Sequence, residues 1–129
     1  MQFHNSAIGL ADKLAQFSEH WAPRVVAEVN DYQIKLAKLQ GDFVWHSHDD
    51  TDEVFLVLKG HLRIDFRDQE GRELAPAELD EGELCVVKKG DQHKPFAEKE
   101  CHVMLIEPRG VVNTGEAGGE LTAENDQWI

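Results

Sequence analysis

Cysteine is scarce in this 129-residue chain: Cys85 and Cys101 are the only two, and no C-x-x-C joins them. Two thiols make neither a disulfide framework nor a four-cysteine metal knot, which excludes the stapled scaffolds of small secreted domains. They read as reduced thiols of an intracellular, cytoplasmic protein. Basic residues are also few, 13 Lys and Arg against 25 Asp and Glu, for a net charge of −12. So acidic a surface repels phosphate backbones and anionic lipid, and neither nucleic acid nor a membrane is expected as a partner. No apolar run approaches the roughly 20 residues that span a bilayer. The stretch from Met1 to Asn5 is neither basic nor continuously apolar, so no secretory leader is expected. Internal repeats and low-complexity blocks are missing as well.

What is present suits one folded unit. Apolar residues make up 41% and charged residues 29%, enough to bury a core and too apolar for a disordered chain. The length fits a single domain over residues 1–129. Residues 6–18 carry Ile8, Ala11, Leu14, Ala15 and Ser18 at three- and four-residue spacings, which predicts a short amphipathic helix with Asn5 or Ser6 as its cap. After Pro23 the period changes. Val25, Val26 and Val29 lead to the turn-like pair Asn30-Asp31, and Tyr32 to Leu39 then alternate as a strand. Short strands are expected at 43–48, 53–58, 61–66, 84–87, around 94–97 and at 101–107, with a polar turn at 68–71. Residues 72–82, with Pro76 and several acids, read as a solvated excursion. The tail 110–129 reads as an extended segment wrapped on a barrel core of about 24–108, because Val111, Val112, Leu121, Trp128 and Ile129 need cover. Many short strands, frequent turns and no crossover helix indicate an all-β fold, an antiparallel barrel or jelly roll with a short N-terminal helix.

Seven histidines are present, and their placement carries the chemistry. His46 and His48 are one residue apart, which on a strand puts both imidazoles on one face, some 6–7 Å apart. Glu53 returns on the next strand, where it shares a face with Phe55 and Val57. His93 follows the turn Gly90-Asp91-Gln92. An H-x-H pair alone is commonly a surface feature; four ligand-type residues in this order between strands are more specific. Three imidazoles and one carboxylate inside a small barrel suit a divalent first-row metal such as Fe, Mn, Ni, Zn or Cu.

Gly41-x4-His46-x-His48-x4-Glu53-x6-Gly60 resembles the first cupin motif, and Gly82-x7-Gly90-x2-His93 the second, with 21 residues between them. The resemblance implies the cupin double-stranded β-helix, a jelly-roll barrel, with the metal held by His46, His48, Glu53 and His93. Among subgroups the chain is most similar to the small single-domain bacterial cupins likened to mannose-6-phosphate isomerase. It departs from the pattern in three places: four residues rather than five separate Gly41 from His46, Lys88 replaces a proline, and Ala97 replaces an asparagine. Lys88 is expected to loosen the second-motif turn, and Ala97 removes a side-chain hydrogen bond near His93.

The pocket wall is expected to draw on Phe55, Val57 and Met104, with Gln92, Lys35 or Arg63 as polar members. His102 reads as a packed or rim residue, with a pocket acid or base as the alternative. His4, His20 and His61 are expected to face solvent. Asp49, Asp50 and Asp52 read as a solvated loop, with orientation of a ligand imidazole as the alternative. If His46 and Glu53 point inward, alternation sends Phe43, Trp45, Val54, Leu56 and Leu58 outward, where the N-terminal helix, the C-terminal tail or a second subunit would cover them, with a homodimer as the favoured expectation. Four ligands on a six-coordinate ion leave two positions for substrate atoms or for one substrate atom and dioxygen. The favoured expectation is a metal-dependent enzyme of oxygenase, isomerase or epimerase type acting on a small polar metabolite. The alternatives are a non-catalytic small-molecule-binding or sensor module and a structural protein with incidental histidines.

Overall fold

The fold was established from a computed structural model, which describes residues 5–115 and 117–129. His4 lies outside the described residues. One short helix, α1 (Leu10–Leu14), precedes seven strands: β1 (Arg24–Val29), β2 (Tyr32–Asp42), β3 (Glu53–Lys59), β4 (Leu62–Arg67), β5 (Glu73–Leu79), β6 (Leu84–Val87) and β7 (Gln92–Pro108). All named pairings are antiparallel, in the order β1-β2-β7-β3-β6, with β4 joined to β7 and to β5.

The layout follows from β7. Its first half pairs with β4, Phe66 opposite His93 and Arg63 opposite Phe96. Its second half runs between β2 and β3, with Met104 opposite both Leu36 and Leu56. One 17-residue strand thus serves both layers of the barrel. The two strands expected at 94–97 and 101–107 are therefore one, which runs on through the exposed residues 98–100, where the register against β2 shifts between Leu39 and Gly41.

Strand alternation fills the space between the layers. Ala37 and Leu39 of β2, Phe55 and Val57 of β3, Leu62 and Ile64 of β4, and Cys101, Val103 and Leu105 of β7 form one buried cluster. The opposite face of β1, β2 and β7 is covered too. There Val26, Ala27 and Leu36 pack with Phe17, and Ile8, Leu10, Leu14, Met104 and Ile129 close over them. The segment 8–17 and Ile129 thus share one outer face, and Trp128 is bridged to Val25.

Three expectations need correction. The helix is five residues long rather than the span 6–18, since its cap is Gly9, which offers no side-chain acceptor to the orphan amides. Residues 72–82 hold a real strand, β5, whose residues are mostly exposed on both faces and so carry no alternation. Pro76 is tolerated there because the β4–β5 register shifts opposite it, between Ile64 and Phe66. Residues 43–48 are not a regular strand; only His46 makes a bridge, to His93. Alternation fails across that segment, and Phe43 turns inward, stacked on Trp21 at 4.5 Å between ring centroids. Both cysteines are free, and burial pushes the Cys101 thiol up to about 11.

Candidate metal centre

His46 and His93 face each other across the bridge that ties residues 43–48 to β7, with ring centroids 4.1 Å apart. His48 stands 5.0 Å from His46 and 5.8 Å from His93 by the same measure. Glu53, the first residue of β3, completes the group: its Oε1 lies 3.5 Å from both His48 Nε2 and His93 Nε2. One ligand atom from each of the four lies within 4.8 Å of the other three. All four side chains are buried.

The imidazoles are aimed by backbone, not by acids. His46 Nδ1–H donates to the Val44 carbonyl and His93 Nδ1–H to that of Asp91, each at 2.9 Å, which leaves both Nε2 atoms for the centre. The acidic loop does other work. Asp49 accepts from the Ser47 hydroxyl, and Asp52 accepts the Lys89 amide. The turn at Lys88 is closed by the Asp91 amide on the Lys88 carbonyl and tied to the first motif by the Gly90 amide on the His48 carbonyl. Those bonds replace the stiffness a proline would give. Gly115 closes the other side: with φ +57, a Cβ there would meet the Ser47 carbonyl oxygen at 2.2 Å.

Three atoms at the centre, His48 Nε2, His93 Nε2 and Glu53 Oε1, are buried and have no hydrogen-bond partner. Burial, with the neighbouring His93 imidazole, holds His46 down to about 4, so it is a neutral ligand at pH 7. Burial alone would raise Glu53, but the two imidazoles 3.5 Å from its Oε1 outweigh it and hold the carboxylate well below its usual range. An ion about 2.1 Å from each donor sets opposite donors no more than ~4.2 Å apart, so this set needs only a slight contraction. Neutral imidazole and carboxylate are a donor set for divalent first-row metals. The residues fit such an ion.

Beside the centre lies a cavity of about 30 Å³, walled chiefly by Trp21, Phe43, Phe55 and Leu105, with His46, Glu53 and Glu107 as its titratable members. Phe55 lines it, and Val57 lies deeper in the core. Gln92, His102 and Met104 do not face it. Gln92 pairs with Arg67 and lines a wider cleft of about 670 Å³ whose lining also includes Trp45 and His46. His102 bonds to Glu100, and Met104 packs under the N-terminal segment, because both alternate with the inward Cys101, Val103 and Leu105. His20 and His61 pair with surface acids, His20 with Glu100 and His61 with Glu78 and Asp80. Arg63 stacks on Phe96 outside, whereas Lys35 is inside, 2.8 Å from Glu107. Glu107 escaped the sequence reading, although period two from Cys101 marks it as an acid on an inward apolar stripe.

Comparison with known proteins adds to this geometry. Residues 34–107 match the family model of the cupin domain. The chain belongs to the cupin family. A crystal structure of a cupin-2 domain protein from Shewanella frigidimarina NCIMB 400 is 54% identical, with a TM-score of 0.72 over 79% of this chain and 94% of that one. An uncharacterised Bacillus subtilis (strain 168) protein, YdbB, is 41% identical over 69 residues. The match takes in 54% of this cupin and 57% of YdbB's length. Hydroquinone 1,2-dioxygenase from Sphingomonas sp. TTNP3, solved with 4-hydroxybenzoate bound, is 25% identical to this cupin. Its TM-score is 0.73 over 80% of this chain and 32% of that one. Among the described residues no helix is long and apolar enough to cross a membrane.

Proposed function

We propose that this cupin is a metal-dependent enzyme of oxygenase type, acting on a small hydroxylated metabolite at the centre formed by His46, His48, Glu53 and His93. The observation that carries the reading is the convergence of three buried, unbonded atoms, His48 Nε2, His93 Nε2 and Glu53 Oε1. Each costs about 1–3 kcal/mol left so, and a cation removes that cost. A divalent ion there supplies Lewis acidity and open coordination positions, and iron adds redox chemistry with dioxygen. The chain's own residues do the rest. The Val44 and Asp91 carbonyls fix two imidazoles, and the aromatic wall of Trp21, Phe43 and Phe55 excludes water. That wall supports oxygenase over the isomerase and epimerase types, and over the mannose-6-phosphate isomerase-like subgroup, because it offers a sugar few hydrogen-bond partners. The likeness to a hydroquinone dioxygenase supports the same choice.

The test is to strip the protein, reload it singly with Fe(II), Mn, Ni, Zn or Cu, and measure metal content and oxygen uptake with small phenols and hydroxy acids. We expect one ion per chain and oxygen consumption by the iron form. A protein that retains no stoichiometric metal overturns the reading. Metal with reversible ligand binding and no consumption supports a sensor or storage module instead.

As partner we propose a second copy of the chain. Leu84 and Val86 on β6 are 58% and 43% exposed, and they continue a row through Val54, Leu56 and Ile106 that carries no charge. Val86→Lys is expected to shift sedimentation from dimer to monomer. A cytoplasmic location belongs to the same reading, supported by two unpaired thiols.

A further inference from the structure

Lys35 and Glu107 form an ion pair at 2.8 Å whose side chains are 4% and 1% exposed. Such a pair is an unusual thing to build into a barrel. Desolvation cancels most of its attraction, and apolar residues of the same volume would serve the core as well or better. Its position supplies a reason. Val54 pairs with Ile106, so one step further along the same antiparallel pairing sets Glu53 opposite Glu107. On the other side Glu107 pairs with Gln33. Gln33, Glu107 and Glu53 therefore form one transverse row across β2, β7 and β3, all facing inward and all buried. Lys35 stands one pleat away on β2, and the ammonium reaches diagonally to Glu107 Oε1.

Glu107 is thereby held from one side and free on the other. Its second oxygen, Oε2, is buried with no partner of its own in the hydrogen-bond network. Glu107 and Glu53 are thus cross-strand neighbours on one face, and both border the small cavity beside His46. Glu53 is the only carboxylate in the ligand group, and it reaches the centre from the end of a strand. Its Oε1 must face His48 and His93 at once for the four donors to share an ion.

We propose that Lys35 and Glu107 are positioning residues for Glu53: the ammonium anchors Glu107, and Glu107 backs the Glu53 carboxyl so that Oε1 points at the metal. This inference rests on the metal-centre reading above, and it assigns two residues outside the ligand set to metal affinity and ligand geometry. Outer-shell partners of metal ligands are typically worth 10–100-fold in affinity.

The experiment is a titration of the stripped protein with Co(II) alone, read by visible absorption and by competition with a chelator, alongside thermal melts without metal. The double variant Lys35→Met/Glu107→Leu removes both charges with little change in volume. It is expected to melt no lower than the parent without metal, yet bind Co(II) roughly 10–100-fold more weakly with altered bands. Glu107→Gln can still accept from Lys35 and donate to Glu53, and it should stay within about threefold of the parent. Glu107→Asp keeps the charge but withdraws the carboxyl by one methylene, and it should lose about tenfold. If the double variant fails to fold, the Gln and Asp variants decide the matter. Parent-like affinity and bands in the double variant, or in Glu107→Asp, would overturn the positioning role and leave the metal centre intact. A parent protein that takes up no Co(II) would overturn the metal centre itself and this role with it.

Discussion

At one end of the barrel interior, Leu39, Val57, Leu62, Cys101 and Val103 meet with no more than 4% exposure; at the other, Gln33, Lys35, His46, Glu53, His93 and Glu107 are equally buried. The same strands supply both ends. β2 runs from Gln33 and Lys35 to Ala37 and Leu39, and β7 runs back from Cys101 to Glu107. The apolar end gains from the transfer of hydrocarbon out of water, about 25 cal/mol per Å². The polar end gains nothing comparable and carries desolvated charge and unpaired acceptors. Stability and ligand chemistry are thus separated along the barrel axis, so each can be broken alone.

The largest effect is expected at the polar end. His93→Ala or Glu53→Ala deletes a ligand and should lower divalent-metal affinity by on the order of 100-fold or more, beyond the loss seen when only an outer-shell partner is removed. Without metal, Glu53→Ala should melt closer to the parent, since it removes a buried oxygen that has no hydrogen-bond partner, whereas His93→Ala also loses the bond to the Asp91 carbonyl and leaves a cavity. Elemental analysis after dialysis and apo melts check both halves. Parent-like metal content would break the comparison at its root.

The apolar end should respond in the opposite way. Leu62 is fully buried in the main cluster. Leu62→Ala should cost about 3 kcal/mol of unfolding free energy, from lost transfer and from the cavity left behind. Metal stoichiometry should stay at the parent value. A denaturant titration paired with metal analysis measures both.

How much of this was legible beforehand follows the same division. His46, His48, Glu53 and His93 could be read because ligand chemistry permits few residue types and their order and spacing resemble the two cupin motifs, although His46 and His48 lie outside any regular strand. The inward stripes of β2, β3 and β4 were legible because the strand period fixes which residues share a face. The failures lie where period two carries no information. β5 is mostly exposed on both faces, and residues 43–48 leave strand geometry, so Phe43 turns inward against the pattern. A five-residue helix capped by glycine owes its existence to packing on Leu36 and Met104, not to its own propensity. Glu107 looked like a strand end beside Pro108, and only its cross-strand neighbours, Gln33 on β2 and Glu53 on β3, give it a role.

Acid should separate the two ends again. His46 has an ordinary value of 6.5 and is held down to about 4 in the fold, chiefly by burial. Between those values the unfolded chain binds a proton that the folded apo-protein refuses. Folding stability therefore falls as pH drops from 6.5, and the loss is complete below about 4, amounting to about 3 kcal/mol. A neutral imidazole is also what the metal needs, so metal should be released on the same side of neutrality, lower than the pH of about 6 expected for an unperturbed histidine. Denaturation of the apo-protein at pH 7.5 and pH 5, with His46→Gln as control, is the measurement. The variant should show a flatter profile across that window.

The smallest effect is expected from histidines on the outer surface, and it sharpens the contrast because the residue type is the same. Glu100 accepts from His20 and from His102, each at 2.8 Å, and those bonds hold it down to about 2 from 4.5. Its folded value is depressed, so its contribution is present above 4.5 and is lost as pH falls toward 2. The size of the shift overstates the energy. The Glu100 side chain is 44% exposed, and water and salt screen its pairs, so Glu100→Gln should cost less than about 1 kcal/mol at pH 7. The difference between parent and variant should shrink in 1 M salt and vanish by pH 2. Inner and outer histidines then respond to the same reagents in different ways, since salt screens an exposed pair and leaves a buried imidazole almost untouched. A Glu100→Gln loss that survives 1 M salt would place that cluster among the buried interactions and break the division between core and surface chemistry.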